Sequence, residues 1–233
     1  MKKLSLVIIL IVYNFLVFAL EPYQENYFID TYSSGNSIDA SEDRQSREAV
    51  FKISLKQEIN DFLFFFFTQK SFWQIHNEEH SRYFREHNYN PGFAVKFGGV
   101  QVGWEHESNG EVEPESRSYN RVFGVLGVNA ESFQAHLKVW SYYNEEQGDN
   151  DNGKNTTRDE TTSEMYGNGE VYLKIGRESY FSLLARSRYV EGIINVNTGE
   201  LGVLFFYSNG YGDSLIDYNH KVTRVGLGIS ITD

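Results

Sequence analysis

The sequence predicts an all-β protein, an antiparallel transmembrane β-barrel. Three observations carry that expectation: an apolar N-terminal signal, a succession of strand-length segments with alternating polarity, and an aromatic content of 16% in a polar chain with three prolines. After the signal no segment is long and apolar enough for a spanning helix. The longest candidate, Phe62 to Phe67, falls far short of the roughly 20 residues such a helix needs. A barrel crosses with strands whose lipid-facing residues alternate with lumen-facing ones, and aromatic girdles at both interfaces would account for the Tyr, Trp and Phe. Composition alone also fits a β-sandwich with an aromatic core.

Residues 1–19 read as a secretory signal: Met1-Lys2-Lys3, then an apolar run from Leu4 to Ala19, with Val17-Phe18-Ala19 as the cleavage site. The rival reading is a retained anchor, which the length criterion disfavours. Residues 20–48 are rich in Ser, Asp, Glu and Asn without periodicity, and read as an extended polar arm. The barrel is then expected over residues 49–233. Its strands fall at about 49–59, 62–75, 88–98, 100–108, 119–130, 133–143, 170–177, 180–189, 200–207 and 222–231, separated by turn signals. Val122, Leu126 and Val128 share one face against Arg121 and Asn129. Leu137 and Val139 oppose His136 and Lys138, and Leu227 and Ile229 oppose small or polar residues. Period-two alternation of this kind is the distributed signature of a membrane barrel, with Val102, Trp104, Val122, Leu126, Leu137 and Leu227 expected outside. Asn144 to Ser163 is the longest hydrophilic interruption after the arm and reads as an extracellular loop.

The formal charge is −11, and more negative once the signal's lysines are removed, which makes the chain a poor nucleic-acid binder. Cysteine is absent. No disulfide supports the fold and no thiol does chemistry.

The stretch Trp104-Glu105-His106-Glu107-Ser108-Asn109-Gly110, followed by Ser116-Arg117-Ser118-Tyr119-Asn120, carries the candidate chemistry. In a strand, residues two apart stand on one face about 6.6 Å apart, so His106 and Ser108 are side by side as base and nucleophile. Their face continues through Trp104, Val102 and Val100. A soluble protein would bury that face, whereas a barrel presents it to lipid, which makes a lipid the natural substrate.

The chain resembles the outer-membrane phospholipase A family. The matching blocks are Thr68 to Gln74, Phe84 to Pro91, His106 to Asn120, Tyr172 to Gly176 and Gly210 to Asn219, and they span most of the mature chain. The resemblance implies a calcium-dependent phospholipase of twelve strands, hydrolysing acyl esters of glycerophospholipids and active as a homodimer. It implies Ser108 as nucleophile, His106 as base, Asn120 as the residue orienting the histidine, and the Gly110 N–H as part of the oxyanion hole. An asparagine can hold the imidazole tautomer without a second negative charge. Calcium ligands implied in the same way are the Ser116 hydroxyl, the Glu111 carbonyl and a partner subunit's carbonyl at position Ser81, with Glu113 and one of Asp149 or Asp151 nearby. Gln69, beside the aromatic run Phe62 to Phe67, reads as lipid-facing or subunit-facing, and the resemblance places it in the dimer interface; an inward-facing glutamine, which needs a parity slip in the strand, is the alternative.

The chain departs from the family at three places. The connection from Phe93 to Trp104 is short, Asn195 to Tyr207 reads as too compact for two strands and a turn, and the chain ends Ile231-Thr232-Asp233 without a terminal aromatic residue. Ten strands therefore stand beside twelve, and a non-catalytic pore or structural barrel stands as the alternative to an enzyme. An outer-membrane protease would need acidic and histidine pairs at the lumen rim. His76, His80, His87, His136 and His220 form no metal-ligand pattern.

Overall fold

A computed structural model describes residues 20–35, 44–112, 115–147 and 161–231. The signal, Glu113, Asp149 and Asp151 lie outside these residues. The elements are β1 (Glu21–Pro22), β2 (Tyr27–Gly35), β3 (Arg47–Glu58), β4 (Leu63–Trp73), β5 (Phe84–Phe97), β6 (Val100–Ser108), β7 (Arg117–Ala130), β8 (Phe133–Gln147), α1 (Thr162–Tyr166), β9 (Gly169–Gly176), β10 (Tyr180–Arg186), β11 (Tyr189–Asn197), β12 (Leu201–Tyr211) and β13 (Lys221–Ile231). From β2 to β13 each strand pairs antiparallel with the next, and β13 returns to pair with β2. The result is a closed barrel of twelve strands, which leaves no exposed sheet edge in the lipid. β1 is a short addition that pairs with β3.

Ten expected strand segments become twelve through two corrections. The polar arm of residues 20–48 contains a barrel strand, β2, between β3 and β13. Its hydropathy does not alternate because its lumen side mixes Tyr27 and Ile29 with Thr31 and Ser33, while its outer side carries Asp30, which pairs with Arg47. The barrel therefore begins at Tyr27 rather than at residue 49. Secondly, the segment expected at 180–189 holds β10 and a turn at Ser187-Arg188, β11 follows in the stretch to Asn197 where no strand is expected, and β11 and β12 are joined by Thr198-Gly199-Glu200. Three residues suffice for that turn, with Gly199 at φ +119°. The short connection after Phe93 is likewise a tight hairpin, with Gly98 at φ +58°. β13 pairs along its length with β12 and with β2 although no aromatic residue ends the chain.

Outside, the band is apolar: Leu126 is 61% exposed, Leu227 56% and Val102 51%. Such a surface is stable only against lipid or another apolar partner. Inside, Phe64, Phe66, Ala94, Phe123 and Trp140 form one apolar cluster. At the end bearing the long loops, α1 and the segment 212–220 fold inward, where Met165, Tyr166, Leu215 and Tyr218 pack on Tyr119. Thr161 caps α1 reciprocally with Glu164, satisfying two terminal N–H groups of a helix too short to stand alone.

Beside this plug lies a buried ion network. Glu48 receives Arg85 Nε at 3.2 Å and Arg224 Nη1 at 2.9 Å; Asp213 receives Arg224 Nε at 2.9 Å; Asp217 receives Arg85 Nη1 at 3.1 Å and Arg44 Nη1 at 3.2 Å. Burial by itself would raise the Asp213 carboxyl, but Arg224 and Lys70 outweigh it and hold it well below the usual carboxylate range. Toward the short-turn end the lumen opens into a cavity of about 670 Å³ lined by Tyr23, Glu25, Lys138, Glu170, Tyr172 and Lys174 among others.

Candidate active site

The loop-side end of β6 carries the candidate pair. Gly103 and Glu105 are buried in the lumen, Glu105 held by Arg121 and Lys138, so Trp104, His106 and Ser108 take the outer face. The register places His106 opposite Asn120 and Ser108 opposite Ser118. Gly127 N donates to Gly99 O, which makes His106 and Asn120 a non-hydrogen-bonded pair, the kind whose side chains come closest. His106 Nδ1 lies 3.1 Å from Asn120 Oδ1. The amide oxygen can only accept, so Nδ1 carries the proton and Nε2 keeps its lone pair. That is the tautomer a general base needs.

Asn120 is itself held. Pairing of β7 with β8 shifts register between Ser118 and Asn120, and Asn144, at φ +50°, turns its carbonyl to accept from Asn120 Nδ2 at 3.5 Å. Trp104 hydrogen-bonds Tyr143 on the same outer surface. On the other flank Tyr89 pairs with Ser108, and a Cβ on Gly110 would lie 3.6 Å from the Tyr89 ring. Gly110 adopts φ +67°, a backbone conformation that residues with a side chain rarely take.

The loop after Ser108 is organised by Asn109, 2% exposed. Its Oδ1 accepts from Glu111 N at 3.3 Å and Arg117 N at 3.0 Å, and its Nδ2 donates to Glu115 O at 2.8 Å. The Ser116 carbonyl is taken by Arg117 Nη1 at 2.7 Å. The Ser116 hydroxyl and Glu111 carbonyl are oxygen donors of the kind calcium prefers. Asn109 gathers both onto one small loop, so they fit in chemistry, while their number leaves coordination to be completed by water, lipid or a second copy. Among the described residues no three His, Asp or Glu side chains form a metal cluster.

Gln69 faces outward, between the exposed Phe65 and Phe67 on one side and Ser71 on the other, as Thr68 points into the lumen. The inward alternative is thereby corrected. Gln69 Nε2 donates to Ser71 Oγ at 3.0 Å, and Ser71 Oγ lies 2.8 Å from His87 Nδ1. Ser81 is exposed in the loop after β4, at φ +64°. Two neighbours of the pair, Tyr89 and Tyr143, were not legible in the sequence, because cross-strand contacts leave no local signal; the Asn109 staple had one, the Ser-Asn-Gly turn.

A model of the family "Phospholipase A1" matches residues 13–231. The chain belongs to the phospholipase A1 family. It is 33% identical to the phospholipase A1 of Klebsiella pneumoniae and 34% identical to that of Escherichia coli K12, with 93% of this chain aligned to 83% and 82% of theirs. The barrel superimposes on the calcium-bound dimer of the Salmonella typhi outer membrane phospholipase with a TM-score of 0.77 at 27% identity, covering 93% of this chain and 94% of that one. An active-site mutant of the E. coli enzyme, with an asparagine changed to alanine, gives 0.78 at 27% identity and 93% of each chain. This family member is thus a phospholipase of the outer membrane.

Proposed function

We propose that the chain is a calcium-dependent phospholipase that hydrolyses acyl ester bonds of glycerophospholipids with Ser108, His106 and Asn120 on its lipid-facing wall, and that pairing of two copies activates it. The observation that carries this reading is the His106–Asn120 contact on the outer face, one pleat from Ser108. Ser108 Oγ attacks the acyl carbonyl carbon while its proton passes to His106 Nε2. The carbon–oxygen ester bond then breaks, and His106 returns the proton to the departing lysophospholipid alcohol. Water repeats the sequence on the acyl-serine and releases the fatty acid. Asn120 keeps Nδ1 protonated and supports the imidazolium formed midway, and the Gly110 N–H donates to the oxyanion.

Calcium held by the Ser116 hydroxyl and Glu111 carbonyl of one copy, with the Ser81 carbonyl of the other, would stabilise negative charge at that oxyanion. The bound calcium and dimeric state of the S. typhi enzyme support this assignment. The pore alternative is disfavoured by the buried network and plug across the loop end of the lumen.

The test is hydrolysis of phosphatidylcholine by refolded protein with calcium or with chelator. Wild type releases fatty acid only with calcium, and Ser108→Ala and His106→Ala are inactive although the barrel folds. Substantial turnover by Ser108→Ala would sink the assignment.

A further inference from the structure

We propose that Asn90 is a positioning residue for His106, supplying through its side chain the hydrogen bond that Pro91 denies to the barrel ladder. The inference rests on the reading of His106 as the catalytic base. Successive residues of β6 turn their backbone groups alternately toward β7 and β5. Gly127 N donates to Gly99 O at 2.8 Å, so the odd-numbered residues address β7 and His106 addresses β5. The pairs Tyr89 with Ser108 and Gly92 with Glu105 set Pro91 opposite His106, and pairing skips Asn90 and Pro91. Proline has no N–H to give. The His106 carbonyl, on a strand in the membrane wall, would be left without its ladder donor at the residue whose position matters most. Instead Asn90 Nδ2 donates to it at 2.9 Å.

His106 is thus fixed twice, its ring by Asn120 from β7 and its backbone by Asn90 from β5. Without the second hold, the β6 backbone is free to move away from Pro91, and the imidazole moves with it relative to Ser108. Small misplacements of this kind act on the chemical step more than on substrate affinity.

The prediction is tested with Asn90→Ala, the isosteric Asn90→Asp, which lacks the amide donor, Pro91→Ala, and each Asn90 variant combined with Pro91→Ala, all as full-length refolded protein. Kcat and KM for phosphatidylcholine are read together with the rate at which a sulfonyl fluoride modifies Ser108. Each Asn90 variant lowers kcat about tenfold with KM unchanged and slows sulfonylation in parallel. Restoring a backbone N–H at position 91 brings both back to within about twofold of wild type, and Pro91→Ala alone is near wild type. Wild-type kcat in both Asn90 variants, or no recovery in either double variant, overturns the proposal. An active wild type with unaffected Asn90 variants refutes this inference alone, whereas an inactive wild type refutes the proposed function and this inference with it.

Discussion

Replacing Asn120 by alanine removes the acceptor 3.1 Å from His106 Nδ1 and leaves the Ser108 and His106 side chains in place. In the resting enzyme that bond joins two neutral groups and contributes about 1 kcal/mol; when His106 has taken the serine proton, it joins an imidazolium and contributes about 2.4 kcal/mol. Only the difference, about 1.4 kcal/mol, acts on the barrier, which corresponds to roughly tenfold in kcat. KM should be unchanged, because Asn120 is spent on His106 rather than on lipid. Asn120→Asp restores the acceptor, so it should keep more of kcat than Asn120→Ala. The assay is fatty-acid release under saturating phosphatidylcholine and calcium, with stopped turnover in Ser108→Ala as the floor. Asn120→Ala falling to that floor, or raising KM with kcat intact, would refute the assignment of Asn120 as an orienting residue.

Calcium and pairing should strengthen each other, since ligands from two copies link the equilibria with one shared coupling energy: sedimentation in detergent should show a calcium-dependent dimer weakened by Ser116→Ala, and a fully active chelated monomer would exclude the idea. Arg224→Met removes one cation shared by Glu48 and Asp213 in a site with no exposure; unfolding in urea should show a loss of about 3–5 kcal/mol, and an unchanged midpoint would mean the network is not holding the plug. His220 has its pKa lowered, chiefly by burial and also by Arg44, against the opposing pull of Asp217. The folded state therefore resists protonation. Stability should fall as pH drops below the unfolded value of about 6.5 toward the lower folded value, and His220→Gln should flatten that part of the curve of urea midpoint against pH.

The sequence by itself determined the wall and the pair standing on it. Period-two alternation in β6 to β8 and β13 forces Val102, Leu126, Leu137 and Leu227 to one side, and the same parity puts His106 and Ser108 on that side. Those are properties of neighbours along one strand, which any reader of the chain possesses. Tertiary structure decided whatever depends on which strand lies next. β2 has no local signature because its lumen face mixes Tyr27 and Ile29 with Thr31 and Ser33, and its outward carboxylate is matched by Arg47 of β3; nothing local announces such a match. The β10–β11 hairpin lacks one because a two-residue turn needs no glycine or proline to mark it. The contact of Asn120 with His106 depends on a register 14 residues apart along the chain, and that of Asn90 on the alternation that turns His106 toward a proline. Hydrogen-bond direction across a sheet is fixed only when the barrel closes, and the geometry of this site is made of such bonds.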